Sequence, residues 1–210
     1  MAHKVKRLFP RYAACQLKCD YEGLYSLTPE NESCVMAEIL ADACWQVLRQ
    51  PASRTQILDG TAGLGGNVFG FARFFAKVKA MELDPKRYKL LQHNVLQIGF
   101  SGKAVECIRG TVLKLFMHKS APVVFLDPPW GGYSYRREKK LRLFIEKTPL
   151  PRMLCQWAQQ RKRAHPTVVG LKLPTNFSIP MFEQDIQGAP IRVYSVHRLS
   201  KMMLVVLLLT

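Results

Sequence analysis

A four-residue run, Gln56-Ile57-Leu58-Asp59, breaks into Gly60-Thr61-Ala62-Gly63-Leu64-Gly65-Gly66-Asn67 and resumes as the apolar stretch Val68-Phe69-Gly70-Phe71. That order writes a strand, a glycine-rich turn and a helix start. Glycines allow a positive φ and let the backbone approach a ligand closely. A second strand follows, Val78-Lys79-Ala80-Met81-Glu82-Leu83-Asp84-Pro85, ending in acids. Further apolar runs fall near 104–108, 122–127, 167–173, 191–197 and 202–209. Helical patterns occupy 67–76, 85–98, 111–118, 150–163 and, more briefly, 179–186. Strands alternating with helices predict an α/β fold, Rossmann-like, with helices on both faces of a mostly parallel sheet. Only a few residues around Ser200-Lys201 join the last two strands. A link that short makes an antiparallel hairpin. The expectation is therefore seven strands with an antiparallel last strand.

The glycine turn suits a nucleotide. An acid about 20 residues past such a turn matches a ribose diol. Glu82 follows Gly63 by 19 positions. NAD, FAD and S-adenosylmethionine all use this geometry, so the turn alone does not choose among them. Asp127-Pro128-Pro129-Trp130 does. It directly follows the apolar run Val123-Val124-Phe125-Leu126. Two prolines fix φ and remove two N–H donors, and a residue before proline is pushed to extended geometry. The corner turns the Asp127 carboxylate and the Pro128 carbonyl outward as acceptors, with Pro129 and a flat indole beside them. A planar base with an exocyclic amine fits such a place. A surface turn with a packing Trp is the bland alternative. Amino-methyltransferases, unlike NAD enzymes, end the fourth strand with this corner. The two motifs together point to S-adenosylmethionine-dependent methyl transfer to an amine. Asp59, Gly63, Gly65 and Glu82 are then cofactor-binding candidates. Asp84 before Pro85 reads as an N-cap only.

Charge narrows the partner. The chain has 31 Lys and Arg against 15 Asp and Glu, a net +16. Such an excess points to a polyanion, most often nucleic acid. Arg136-Arg137-Glu138-Lys139-Lys140-Leu141-Arg142 and Arg161-Lys162-Arg163 are the densest basic stretches. Each is either a phosphate contact or a solvated face. The six cysteines form no C-x-x-C pair, and zinc is not expected. The thiols are expected reduced, in cytosol or nucleus. The apolar tail 202–209 is far too short for a membrane span and reads as a buried strand. Residues 1–28 are basic, aromatic and aperiodic, an N-terminal extension before a domain over 29–210. Thr28 is the expected N-cap of a helix with Pro29 at its first position, running to Arg49.

Several stretches resemble the trimethylguanosine synthase family, the RNA cap guanine-N2 methyltransferases. They are Phe9-Pro10-Arg11-Tyr12, Asp20-Tyr21-Glu22-Gly23-Leu24-Tyr25-Ser26-Leu27-Thr28-Pro29-Glu30, Asp59 to Asn67, Glu82 to Asn94, Val123 to Gly132, and Leu171-Lys172-Leu173-Pro174-Thr175-Asn176. The chain departs from the family where Asp59-Gly60-Thr61-Ala62-Gly63 replaces Asp-x-Phe-Cys-Gly. It also has Asp127 where other members have serine, and Leu24 where Trp is frequent. The resemblance implies S-adenosyl-L-methionine as cofactor and the 7-methylguanosine cap of small nuclear or nucleolar RNA as substrate. It also implies a nuclear location and one protein chain acting alone, with no membrane partner. It places Asp59 and Gly63 by the methionine part of the cofactor and Glu82 on its ribose, with Gly65, Asn67 and Asp127 as further cofactor-binding residues. Thr28 closes over the cofactor, and Asn94, Pro129 and Trp130 hold the guanine. Asp127, Pro128 and Trp130 make up the catalytic corner. Two other readings stay open from the residues alone. One is a methyltransferase for internal guanine N2 or adenine N6; the other is an inactive RNA-binding domain of the same fold.

Overall fold

The computed structural model describes residues 2–100, 104–113, 121–138, 140–160 and 167–210. Its main sheet has seven strands: β1 Gln56–Asp59, β2 Lys77–Glu82, β3 Val105–Arg109, β4 Val123–Leu126, β7 Thr167–Pro174, β8 Ile191–Arg198 and β9 Met202–Leu209. Their order is β3-β2-β1-β4-β7-β9-β8. The first five pair parallel, while β9 runs antiparallel between β7 and β8. This is the sheet the sequence predicts. The tail is a fully enclosed strand, buried, like β7, at all eight positions. The small hairpin of β5 Phe144–Ile145 and β6 Thr148–Pro149 was not predicted. At two residues each, these strands are too short to show a period. Among the described residues no helix is long and apolar enough to cross a membrane.

Both faces of the sheet are covered, so its parallel strands read as continuous apolar runs. One face carries Ile57, Val78, Val123 and Val168 and is covered by α3 Glu30–Leu48, α4 Gly66–Phe71 and α5 Pro85–Ile98. The other carries Leu58, Met81, Val124 and Leu171 under α6 Leu150–Gln160 and α7 Ile179–Asp185. Side chains alternate along a strand. Asp59, Glu82 and Lys172 therefore share the α3 face with Ile57, Val78 and Val168. Asp127, one step beyond β4, continues the parity of Val123 and Phe125.

Helix boundaries differ from expectation in two places, after Phe71 and at Thr28. The helix expected over 67–76 stops at Phe71, where the N–H groups of Arg73 and Phe74 tighten onto the carbonyls of Gly70 and Phe71, before the Ala76 N–H leaves for the carbonyls of Ala52 and Thr55. The helix expected over 150–163 is α6 to Gln160; 161–163, with its basic triplet, lies outside the described residues. Most of the 111–118 helix lies outside them too. Thr28 is not an N-cap: α3 begins at Glu30 with Pro29 in the cap position, and the Thr28 hydroxyl is used elsewhere. Asp84 does cap α5, accepting from Lys86 N and Arg87 N.

The first 28 residues are not aperiodic throughout. They contain α1 Ala2–Leu8 and α2 Gly23–Ser26. They pack onto the α3 face. Phe9 is fully buried edge-on to Phe69, with ring centroids 5.5 Å apart. Buried Glu30 accepts from the Arg11 backbone N–H at 3.2 Å and pairs with its guanidinium at 3.1 Å. Arg87 on α5 pairs with Asp20 and Glu22.

Candidate active site

In this strand order the chain runs outward from β1 through β2 and β3, then returns to β4 on the other side of β1. That reversal opens a crevice at the carboxyl ends of β1 and β4, where open α/β sheets bind ligands. Asp59 ends β1, Glu82 ends β2, Asp127 follows β4, and Lys172 lies near the end of β7. The Leu126–Leu171 register brings Asp127 beside Lys172.

The glycine turn shapes one wall. Gly65 has φ 100, a left-handed value that favours glycine, and opens α4. A Cβ on Gly66 would meet the Thr28 backbone nitrogen at 2.9 Å, so glycine lets the extension sit directly on the turn. The Gly63 N–H donates to Glu82 Oε2 and the Asp84 N–H to Oε1, each at 2.8 Å. These bonds fix the Glu82 carboxylate at the strand end and leave further lone pairs for hydroxyl donors.

Asp59 is fully buried; its Oδ1 accepts from the Thr61 N–H at 3.1 Å. Its Oδ2 and the Oδ1 of buried Asn67 have no partner among the described residues. Burial pushes the Asp59 carboxyl up to about 8, with the Asp127 and Glu82 carboxylates adding to the rise. Burial also raises the carboxyls of Glu82 and Asp127, against backbone N–H groups at Glu82 and against Lys172 and Asn67 at Asp127. Three acids around one lysine leave the crevice short of positive charge and of donors. A cationic ligand with an ammonium group supplies both.

At the Asp-Pro-Pro corner, Asp127 N–H donates to Thr61 Oγ1 at 2.7 Å, locking the corner to the glycine turn. Lys172 Nζ donates to Asp127 Oδ2 at 2.6 Å and to Thr28 Oγ1 at 2.8 Å, and lies 5.4 Å from the Trp130 ring centre. The lysine side chain is only 5% exposed. One buried ammonium thus joins the extension, the corner and the indole. Trp130 packs edge-on to Tyr135, centroids 5.2 Å apart. Beside them a cavity of about 300 Å³ is lined by Pro129, Trp130, Tyr135 and Leu141, among others.

Thr28, Asp59, Gly63, Gly65, Asn67, Glu82 and Asp127 therefore gather around one crevice, with Pro128, Pro129 and Trp130 at its rim. Asn94 is committed differently. Its Oδ1 accepts from Lys18 N at 2.8 Å, while its Nδ2 donates to Lys18 O at 2.9 Å and Leu64 O at 3.1 Å. Both amide hydrogens are spent on backbone, so a guanine contact is confined to the second lone pair of Oδ1. The side chain is first a strut tying the extension to the glycine turn. Asn94→Ala should cost roughly 2–3 kcal/mol, since it strands the buried Leu64 carbonyl and the part-buried N–H and carbonyl of Lys18. Denaturant unfolding checks this; unchanged stability would remove the strut.

A model of the RNA cap guanine-N2 methyltransferase family matches residues 54–202. The chain belongs to that family. A relative from Acanthamoeba polyphaga mimivirus, described as an uncharacterized protein, is 33% identical over 94% of this chain and 84% of its own. The trimethylguanosine synthase of Schizosaccharomyces pombe is 33% identical over 55% of this chain and 47% of its own. That of Saccharomyces cerevisiae is 28% identical over 63% and 41%. The chain thus spans less than half the length of these two yeast relatives. Among solved structures, a putative RNA methyltransferase from Pyrococcus horikoshii superposes with a TM-score of 0.63 at 15% identity, over 100% of this chain and 99% of that one. That likeness bears on the fold.

The family and the fold imply S-adenosylmethionine as methyl donor. The crevice fits it: unpartnered buried acceptors for an ammonium, a strand-end carboxylate for a diol, and net negative charge for a cation. The sequence reading missed Lys172 as a site residue. Its signal was present: a charged residue inside the apolar run Val168-Val169-Gly170-Leu171-Lys172-Leu173, with the parity of the α3 face. A lysine there needs a buried partner, and Asp127 was the candidate already named.

Proposed function

We propose that this protein methylates the exocyclic N2 of a 7-methylguanosine RNA cap, yielding N2,7-dimethyl- and N2,N2,7-trimethylguanosine. The observation that carries this reading is the Asp127-Pro128 acceptor corner, set at the sheet's switch point with Trp130 and its cavity alongside. When bound, S-adenosylmethionine supplies an electrophilic methyl group. Asp59 and Asn67 hold its ammonium end, Gly63 and Gly65 shape the backbone around it, Glu82 takes the ribose hydroxyls, and Thr28 covers it. An aromatic amine is a poor nucleophile because its lone pair is delocalised into the ring. Asp127 and the Pro128 carbonyl accept its N–H bonds and turn the lone pair out of conjugation. Positioning of this kind supplies a large part of a barrier reduction. The methylated amine becomes acidic, and Asp127 is placed to accept its proton.

Trp130 and Pro129 hold the base. Lys172 already lies over the indole, which leaves the opposite face of Trp130 for the guanine. Methylation at N7 makes that guanine cationic, and a cation over an indole gains about 0.5–2 kcal/mol, or about 2- to 30-fold in affinity. Trp130→Ala should lose most cap binding and most of the preference for the N7-methylated cap; Trp130→Phe should keep part of both. Affinities for methylated and unmethylated analogues decide it. A preference unchanged in Trp130→Ala would favour an internal base as substrate. Transfer of labelled methyl to a panel of caps with and without the N7 methyl tests the function itself. Transfer that ignores the N7 methyl supports the internal-base reading, and no transfer supports an inactive RNA-binding domain. Arg136, Arg137 and Arg142 lie by this rim and suit the RNA phosphates.

A further inference from the structure

The cavity beside the Asp-Pro-Pro-Trp corner has the wrong charge for phosphate. In a chain with net charge +16, both Glu138 and Glu146 line it, together with Trp130 and Tyr135. Glu138 ends the 3₁₀ turn Gly132–Arg137. Its N–H donates to Tyr135 O and its carbonyl accepts from Asn176 Nδ2, both at 3.1 Å, so its backbone is fixed at the wall. Glu146 turns the β5–β6 hairpin with φ 54. Left-handed backbone of this kind favours glycine, and a non-glycine residue kept there in a cleft is a pointer to function. The Thr111 hydroxyl donates to Glu146 Oε1 and ties the carboxylate to the loop after β3. Of the cations nearby, Arg142 lines the wall and directs its guanidinium to Asp185 on α7 at 3.8 Å, and Arg136 is held over the Tyr135 ring at 5.8 Å.

We infer that Glu138 and Glu146 form an acidic wall that selects the N7-methylated base by its positive charge. This rests on the reading of Trp130 as the guanine platform. The indole's attraction for a cation supplies one part of the preference for the N7-methylated base, and the two carboxylates add a second, since they attract a cationic ring and offer a neutral one only acceptors. They also repel the cap's own phosphates, which keeps the triphosphate out of the base cavity and toward the basic run outside. Specificity then comes from a repulsive element as well as an attractive one.

The test compares binding of m7GpppG and GpppG to the parent, Glu138→Gln, Glu146→Gln and the double variant. Each single change should reduce the preference for m7GpppG about threefold and the double about tenfold, mostly through weaker binding of the methylated cap. Binding of GpppG should stay level or tighten as repulsion of its phosphates is relieved. Glu146→Gly separates charge from architecture: it suits the left-handed backbone, so the melting temperature should hold or rise while the preference falls. A double variant with the parent's preference would overturn the acidic wall. If the parent methylates cap N2 and discriminates while the double variant discriminates equally, only the wall fails. If the parent binds neither cap, the wall and the cap reading fall together.

Discussion

Asp59→Asn is expected to weaken S-adenosylmethionine binding on the order of a hundredfold or more while leaving the fold intact. The substitution keeps the shape of a fully buried side chain and the acceptor for Thr61 N–H, while it removes the charge and turns the second acceptor into a donor. A hydrogen bond between a buried carboxylate and an ammonium is among the stronger polar contacts, and each tenfold corresponds to about 1.4 kcal/mol. The free protein adds a second readout. Burial raises the Asp59 carboxyl to about 8, whereas an unfolded aspartate releases its proton near 4. Between roughly pH 4 and 8 the folded chain therefore holds a proton that the unfolded chain has lost. Stability from this group is greatest below that window and declines as pH rises through it. A bound cation restores the ionised form, so cofactor binding at pH 7 should release up to about one proton. Calorimetry in two buffers with different ionisation enthalpies measures this directly. Asp59→Asn should show no such release and should be at least as stable as the parent at pH 8. Equal heats in both buffers for the parent, or parental affinity in the variant, would count against Asp59 as the ammonium partner.

The sheet was legible because each of its signals is local. Strand β1 ends at the first glycine of its turn, and α5 starts at Asp84-Pro85, where a cap and a proline coincide. The antiparallel pairing of β8 with β9 followed from the short link at Ser200-Lys201, whereas the placing of β9 inside the sheet rests on its long-range pairing with β7. The crevice acids were legible too, since the carboxyl ends of β1, β2 and β4 were marked by glycines or prolines. Three things were not. The β5–β6 hairpin is too short for a pattern. Thr28 looks like a cap by residue type, yet Lys172, 144 positions away, takes its hydroxyl. Asn94 carries no local mark of its task, because its partners are the backbones of Lys18 and Leu64. The last two misses are polar side chains whose roles are set by partners distant in sequence, which neither periodicity nor capping rules can supply.

The largest loss of turnover is expected from Asp127, and Lys172 determines how that experiment must be read. Asp127→Ala should reduce kcat about 10²- to 10³-fold with cofactor affinity little changed, because its acceptor acts on the amine and not on the cofactor. The same change strands the ammonium of Lys172, which is 5% exposed and pairs with Asp127 at 2.6 Å. Removing one partner of a buried ion pair costs about 3–5 kcal/mol, whereas replacing both by apolar groups is often neutral. A loss of activity in the single variant could therefore be a loss of fold. The double variant Asp127→Ala/Lys172→Met resolves this. It should recover most of the stability and none of the activity. Lys172→Met alone adds a distinct signature. Burial already raises the Asp127 carboxyl, and Lys172 opposes that rise. Without the lysine the carboxyl holds its proton to higher pH, so the pH at which kcat rises should move upward, with partial activity regained in alkaline buffer. A pair that only braces the fold predicts otherwise: activity would return with stability in the double variant, and the kcat profile of Lys172→Met would keep its midpoint. Either result would take Asp127 out of contact with the amine and leave Lys172 as a structural tie between the extension and the corner.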